Sequence, residues 1–148
     1  MKPRTVAALA GAGLALLIVA LVAWDILVIT DQERIEAFAD TVTSEVNAEN
    51  IELALAYVDP SVQPVLIEVR HQSLRYDKES PEEFAAMAHG RLRPYHGTKQ
   101  HVMRKSVEVE ETRATVATET FSRRGRISVD WELKKRGDDW LVSRMAIR

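Results

Sequence analysis

The sequence lacks cysteine at all of its 148 positions. No disulfide can form and no lipid can be attached through a thiol, so the folded part must be held together by its core. The sequence also has no glycine-rich phosphate loop and no nucleophilic side chain with an evident base beside it. These absences name no reaction, and we predict neither catalytic residues nor a cofactor.

A recognisable set of metal ligands is also missing. The four histidines stand at positions 71, 89, 96 and 101, and no cysteine supplements them. Their spacing fits no standard ligand set. We therefore predict no metal site.

A long apolar run is present near the start. Residues 5–24 carry no charged side chain, and a helix of that length covers about 30 Å, the thickness of a bilayer's hydrocarbon core. Lys2 and Arg4 precede the run, whereas Asp25 and Asp31 follow it, so the positive-inside rule places the amino terminus in the cytoplasm. The sequence predicts a transmembrane signal anchor within residues 1–29 and a single-pass protein of the inner cell membrane.

A cleaved secretory signal is the alternative interpretation. The run is longer than the roughly 7–15 apolar residues of such a signal, and Leu21 fits poorly before a cut after Ala23. Within the run, Ala7, Gly11 and Ala15 fall four residues apart, a spacing that lets two membrane helices approach closely and associate.

Charge is divided unevenly along an extracytoplasmic domain that we place at residues 30–148. Residues 31–59 hold eight acidic side chains and one basic (net −7), whereas residues 90–148 hold fourteen basic and eight acidic (net +6). Solvated helix and strand faces explain this division. The alternative is a dipolar surface whose basic side meets an acidic protein or anionic lipid. Basic and acidic residues alternate along the strands, so we predict no nucleic-acid partner.

Hydrophobic periodicity predicts an α+β domain. Helices are expected at 31–46 and 51–58, the second capped by Asn50, and a third begins at the Ser80-Pro81 capping signal. The segment 61–76 fits a helix or a strand, and we favour helix. From Gln100 onward the period becomes two, which predicts an antiparallel meander at 102–110, 113–121, 127–134 and 140–147. Helices should pack on one face of this curved antiparallel sheet.

Three features make this order resemble the nuclear transport factor two-like (NTF2-like) superfamily. They are the short helix with its Asp59-Pro60 exit, the Ser-Pro-Glu-Glu-Phe helix start at residues 80–84, and the closing hairpin at 129–142 with its Gly-Asp turn and tryptophan. The resemblance implies a cone-like fold. A membrane helix joined to such a domain also looks like assembly factors of type IV secretion and proteins associated with mammalian-cell-entry lipid transporters. The resemblance to these two kinds of membrane protein implies a non-enzymatic scaffold.

Strand alternation gives the candidate pocket residues. On the third meander strand, Trp131 faces the apolar side while Asp130 and Glu132 face away, so the strand offers no carboxylate base to a pocket. The residues expected near a pocket are Tyr57, His101, Trp131 and Arg144. The sequence thus predicts a non-catalytic binding or assembly module that meets the bilayer and other membrane or extracytoplasmic proteins. The alternative is a tethered or secreted small-ligand-binding protein, or an isomerase-like enzyme, that uses the cone's interior.

Overall fold

The computed structural model describes residues 29–148, and residues 31–148 form one compact unit. This unit contains three α-helices, a short 3₁₀ turn at Arg93–Tyr95 and six strands. The helices are α1 (Asp31–Val42), α2 (Ala48–Leu55) and α3 (Pro81–Leu92). The strands are β1 (Val65–Val69), β2 (Gln72–Tyr76), β3 (His101–Val109), β4 (Arg113–Ser122), β5 (Gly125–Arg136) and β6 (Asp139–Ile147).

Helix α1 ends four residues earlier than its periodicity predicts. The Thr43 and Ser44 hydroxyls donate to the carbonyls of Ala39 and Asp40. The backbone of Val46 pairs with the loop at 97–98, so it is taken out of helical hydrogen bonding. Such local hydroxyl bonds compete with the helix ladder at helix ends.

Helix α2 begins at Ala48, and its cap is Asn47, not Asn50 as we predicted. The Asn47 side chain accepts a hydrogen bond from the Asn50 backbone N–H. For α3 the prediction is confirmed: Ser80 and Glu83 form a reciprocal capping box, and Pro81 occupies the first turn.

The helix that we favoured for 61–76 is wrong, because this segment forms the β1–β2 hairpin. Val69 pairs with Gln72, so the turn has only two residues, Arg70 and His71. Arg70 adopts a φ of +55°. Two-residue hairpin turns usually contain glycine or asparagine, and this turn contains neither.

The six strands form one sheet in the order β2-β1-β6-β5-β4-β3. Strands β1 and β2 pair antiparallel. Strands β3 to β6 also pair antiparallel, each with the next, which confirms the predicted meander. The pairing of β1 with β6 is parallel. The sheet is therefore mostly antiparallel, whereas we predicted an antiparallel sheet throughout. Helix α1 covers the apolar face of the sheet. The buried cluster between them consists of Ile35, Phe38, Ala39, Val65, Ala114, Val116, Leu133, Trp140 and Val142.

The predicted membrane anchor at 5–24, with the small-residue face of Ala7, Gly11 and Ala15, lies outside the described residues. Among the helices of residues 29–148, none is long and apolar enough to cross a membrane.

Candidate ligand cavity

A cavity of about 450 Å³ lies between the helices and the sheet. All three helices and strands β1, β5 and β6 contribute to its wall. Its apolar lining includes Phe38, Ile51, Val65, Phe84, Met87, Val129, Trp131, Val142, Met145 and Ile147. Cavities of roughly 300–1,000 Å³ with mainly apolar walls are typical of small-molecule sites.

A β-bulge in β6 determines which side chains reach the cavity. Leu133 pairs with Val142, but the preceding residue Glu132 pairs with Arg144, so Ser143 is an extra residue in the ladder. Beyond this bulge, Met145 pairs with Trp131, and both line the cavity. The alternation of β6 therefore changes phase at Ser143.

The same bulge moves Arg144 away from the position that strict alternation predicts. Its guanidinium contacts Glu68 at 2.6 Å and Glu132 at 3.0 Å, and Arg144 does not contribute to the cavity lining. These two carboxylates raise the pKa of Arg144, and the hydrogen bond that Arg144 donates to Glu68 has the largest effect. Arg144 thus links β1, β5 and β6.

Two other predicted pocket residues also lie outside the lining. His101 is exposed at the start of the edge strand β3. Tyr57 packs its ring 5.0 Å from that of Phe38 and donates its hydroxyl to the Arg34 carbonyl at 3.0 Å. Burial raises the pKa of the Tyr57 phenol. Tyr57 supports the cavity wall from behind.

Trp131 is the one predicted pocket residue that lines the cavity. Its ring stands edge-on to Phe38, with the centroids 5.3 Å apart. The indole Nε1 atom is buried, and no acceptor within residues 29–148 receives its proton. A buried donor without a partner costs free energy.

Polar groups that sequence reasoning missed lie along the wall formed by the end of α1 and the start of β3. Gln100 donates to the carbonyls of Ser44 (2.7 Å) and Val42 (3.3 Å) and accepts from the Thr120 hydroxyl (3.0 Å). Its hydrogen-bonding groups are therefore engaged in holding the wall. No sequence pattern marks Gln100, because its partners lie at least twenty residues away.

Two charged residues, Arg91 and Glu45, line the cavity. Arg91 is exposed at the end of α3. Neither residue forms an ion pair with another residue of the described chain. Across that same part of the chain, no three histidine or carboxylate side chains are grouped so that they could hold a metal ion.

Comparison with known proteins identifies the fold. No family model and no curated protein matches the sequence. A Nostoc punctiforme protein of unknown function with a cystatin-like fold matches 82% of this chain and 92% of its own, at a TM-score of 0.56 and 16% identity. An NTF2-like protein of unknown function from Pseudomonas putida matches 78% of this chain and 80% of its own, at 0.55 and 9% identity.

The domain has the NTF2-like, cystatin-like cone fold. This confirms the resemblance in its fold. The chain is also similar to a DUF4783 family protein from Bacteroides ovatus, at a TM-score of 0.50 and 14% identity, over 80% of this chain and 93% of that one. Identities this low establish the cone fold alone, because the same fold hosts unrelated functions. Function must be argued from the cavity.

Proposed function

We propose that the cone domain is a non-catalytic binding module for a small, mainly apolar molecule. The observation that carries this proposal is the cavity of about 450 Å³, whose wall is mainly aliphatic and aromatic. Transfer of apolar surface from water into such a cavity is favourable by about 25 cal/mol per Å². This is the alternative that the sequence left open, now favoured over a pure scaffold.

The lone indole donor adds a requirement on the ligand. Trp131 lines the cavity, and its indole N–H is buried without an acceptor in residues 29–148. We propose that the ligand supplies this acceptor, so the preferred ligand carries one acceptor oxygen on an otherwise apolar body. A long-chain alcohol satisfies both conditions. Within β5, Glu132 faces away from the cavity and contacts Arg113 and Arg144, so it does not offer the cavity a base for proton transfer.

The test is a titration of the full chain with decanol, followed through its indole N–H resonances. The sequence has three tryptophans, and a Trp131→Phe variant assigns the relevant signal. We expect a saturable shift of the Trp131 signal and none of the Trp140 signal, because Trp140 already donates to Asp31 at 2.9 Å.

A pair of substitutions on α3 provides the control. Ala88 lines the cavity, whereas Ala86 on the same helix is exposed. Ala88→Phe should abolish the decanol response, and Ala86→Phe should leave it intact. A response that survives Ala88→Phe, or the lack of any saturable shift in the unsubstituted protein, would contradict the proposal.

We further propose that residues 5–24 hold this module in the inner membrane, with the domain outside the cytoplasm. The uncharged run and its basic flank support this. Fractionation with intact-mass measurement and protease treatment of spheroplasts tests it. We expect a full-length membrane protein cut only from outside. A soluble product that starts near Trp24 would show a cleaved signal instead.

An assembly module is the second candidate, and the open edge of the sheet favours it. Within residues 29–148, strand β3 pairs with β4 alone, and its residues 101–106 are all exposed. Unpaired strand edges can add a strand from a partner. A photo-crosslinker at Arg104 should then give a discrete protein adduct in native membranes, whereas one at exposed Lys78 should not. Equal labelling from both positions would count against this candidate.

A further inference from the structure

The end of α3, the start of β3 and the β4–β5 turn meet at one end of the domain. We call the surface that they form, residues 91–104 and 121–127, the basic tip. The Arg124 guanidinium donates to the Pro94 carbonyl at 2.7 Å and lies 4.7 Å above the Tyr95 ring. His101 at the start of β3 pairs with Phe121 at the end of β4. The end of α3, the start of β3 and the β4–β5 turn are thereby joined.

The basic tip carries charge of one sign. It contains seven basic residues and no aspartate or glutamate: Arg91, Arg93, Lys99, Arg104, Arg123, Arg124 and Arg126. Among the described residues, Arg126 alone of the seven pairs with a carboxylate, that of Glu119. The other positive charges face solvent without a counter-charge, which leaves a strongly positive potential at this end.

The same surface is unusually apolar. Of the eleven exposed large hydrophobic side chains in residues 29–148, six belong to the basic tip: Leu92, Tyr95, Val102, Met103, Phe121 and Ile127. Val102, Met103 and Phe121 are each at least half exposed. Exposed apolar clusters of this kind mark interaction sites.

We propose that the basic tip docks on the surface of an anionic lipid bilayer. Lysine and arginine are attracted to anionic headgroups, and apolar side chains beside them gain by entering the boundary between headgroups and acyl chains. A nucleic acid would use the basic residues but leave Val102, Met103 and Phe121 in water. The combination of both features therefore favours lipid.

The basic tip also borders the cavity. Four residues belong to both the tip and the cavity lining: Arg91, Leu92, Gln100 and Ile127. Docking would place this part of the cavity wall against the lipid surface. The docking proposal nevertheless stands on charge and exposure alone, and it holds whether or not the cavity binds a ligand.

Because the sequence has no cysteine, a single introduced cysteine can be labelled specifically. A Met103→Cys variant of the full chain takes one environment-sensitive fluorophore. Asp138→Cys provides the remote label, because Asp138 lies in the turn after β5, at the other end of that strand from the basic tip. Each protein is reconstituted in phosphatidylcholine vesicles and titrated with vesicles that contain phosphatidylglycerol. We expect a blue shift from position 103 with the anionic vesicles only, and none from position 138.

Charge reversal tests the basic part of the surface. Because each basic residue near an anionic surface contributes about fivefold in affinity, the Lys99→Glu/Arg123→Glu variant should bind at least about 25-fold more weakly. The matched variant Lys78→Glu/Lys134→Glu, which changes the net charge equally outside the tip, should bind as the unsubstituted protein does. Equal loss in both variants, or an equal shift with phosphatidylcholine alone, would overturn the proposal. So would a label that responds to a duplex oligonucleotide but not to vesicles.

Discussion

The indole Nε1 of Trp140 donates a 2.9 Å hydrogen bond to the carboxylate of Asp31, and the Lys135 ammonium lies 2.5 Å from the other carboxylate oxygen. Asp31 is the first residue of α1, and Trp140 lies at the start of β6. This one carboxylate therefore fastens the start of the helical layer to the β5–β6 hairpin. Hydrogen bonds from Lys135 and then Trp140 lower the pKa of Asp31 below its usual value.

The lowered pKa of Asp31 predicts a specific acid sensitivity. The unfolded carboxylate binds a proton near pH 4 and the folded one only at lower pH, so its contribution is complete above about pH 4 and is lost as pH falls through the folded pKa. We expect Asp31→Asn to lower the free energy of unfolding by about 1 kcal/mol at neutral pH, since the site is partly exposed. Urea unfolding at several pH values measures this.

The difference between the unsubstituted protein and Asp31→Asn should shrink toward zero in acid. Glu111→Gln, at an exposed turn position, is the control and should show no such convergence. A difference for Asp31→Asn that is the same at every pH would contradict the assigned role of its charge.

From the contacts of Arg144 we expect its substitution to lower the stability of the domain and to leave ligand affinity unchanged. Arg144→Met removes the bridge between Glu68 and Glu132 and should lower the free energy of unfolding by about 1–2 kcal/mol, because both carboxylates are partly exposed. Decanol affinity should stay unchanged. Arg104→Met, an exposed arginine without a carboxylate partner, is the stability control. A loss of affinity at full stability would place Arg144 in the binding site after all.

Gln100 should matter for stability despite its uncharged side chain. Gln100→Ala removes the hydrogen bonds to Val42, Ser44 and Thr120 and should lower the free energy of unfolding by about 1–2 kcal/mol. Hydrogen exchange should quicken at the Val46 amide, which bonds to the neighbouring Thr98 carbonyl. Gln72→Ala, on the exposed strand β2, should change neither quantity. Unchanged exchange at Val46 would show that Gln100 does not hold this wall.

Trp131 permits a test of the indole donor apart from ring volume. In Trp131→Phe, decanol should bind about three- to tenfold more weakly relative to decane, because only the alcohol offers an acceptor. Both ligands lose the same packing in the variant, so their affinity ratio isolates the hydrogen bond. Calorimetric titration measures both affinities. An unchanged ratio would mean that the indole N–H does not contact the alcohol.

Local signals in the sequence were sufficient for most elements. The Ser80 capping box depends on contacts within one turn, and burial alternates along β4 as expected for a strand with one buried face. Trp131 lies in the cavity lining, and β5 keeps its pairing register with β4 through that position. The α+β cone therefore followed from the order of elements.

What escaped prediction depends on contacts between distant parts of the chain. The Arg70-His71 turn carries no residue that favours a hairpin, and pairing with β6 stabilises β1. The end of α1 follows from the pairing of Val46 with residues 97–98. Arg144 was assigned to the wrong face because a bulge is set by the neighbouring strands, and a single sequence does not display it.

Because of the bulge at Ser143, β6 could lose one residue without changing the sheet face that each later side chain occupies. Removing a residue from a central strand ordinarily turns every later side chain over. Here Val142, Arg144 and Met145 already occupy alternate faces when Ser143 is left out of the count. A chain shortened by this serine would keep Met145 and Ile147 toward the cavity and Arg144 beside Glu68. The bend that the extra residue imposes would be lost. The length of β6 therefore controls the shape of the cavity, but not which β6 side chains line it.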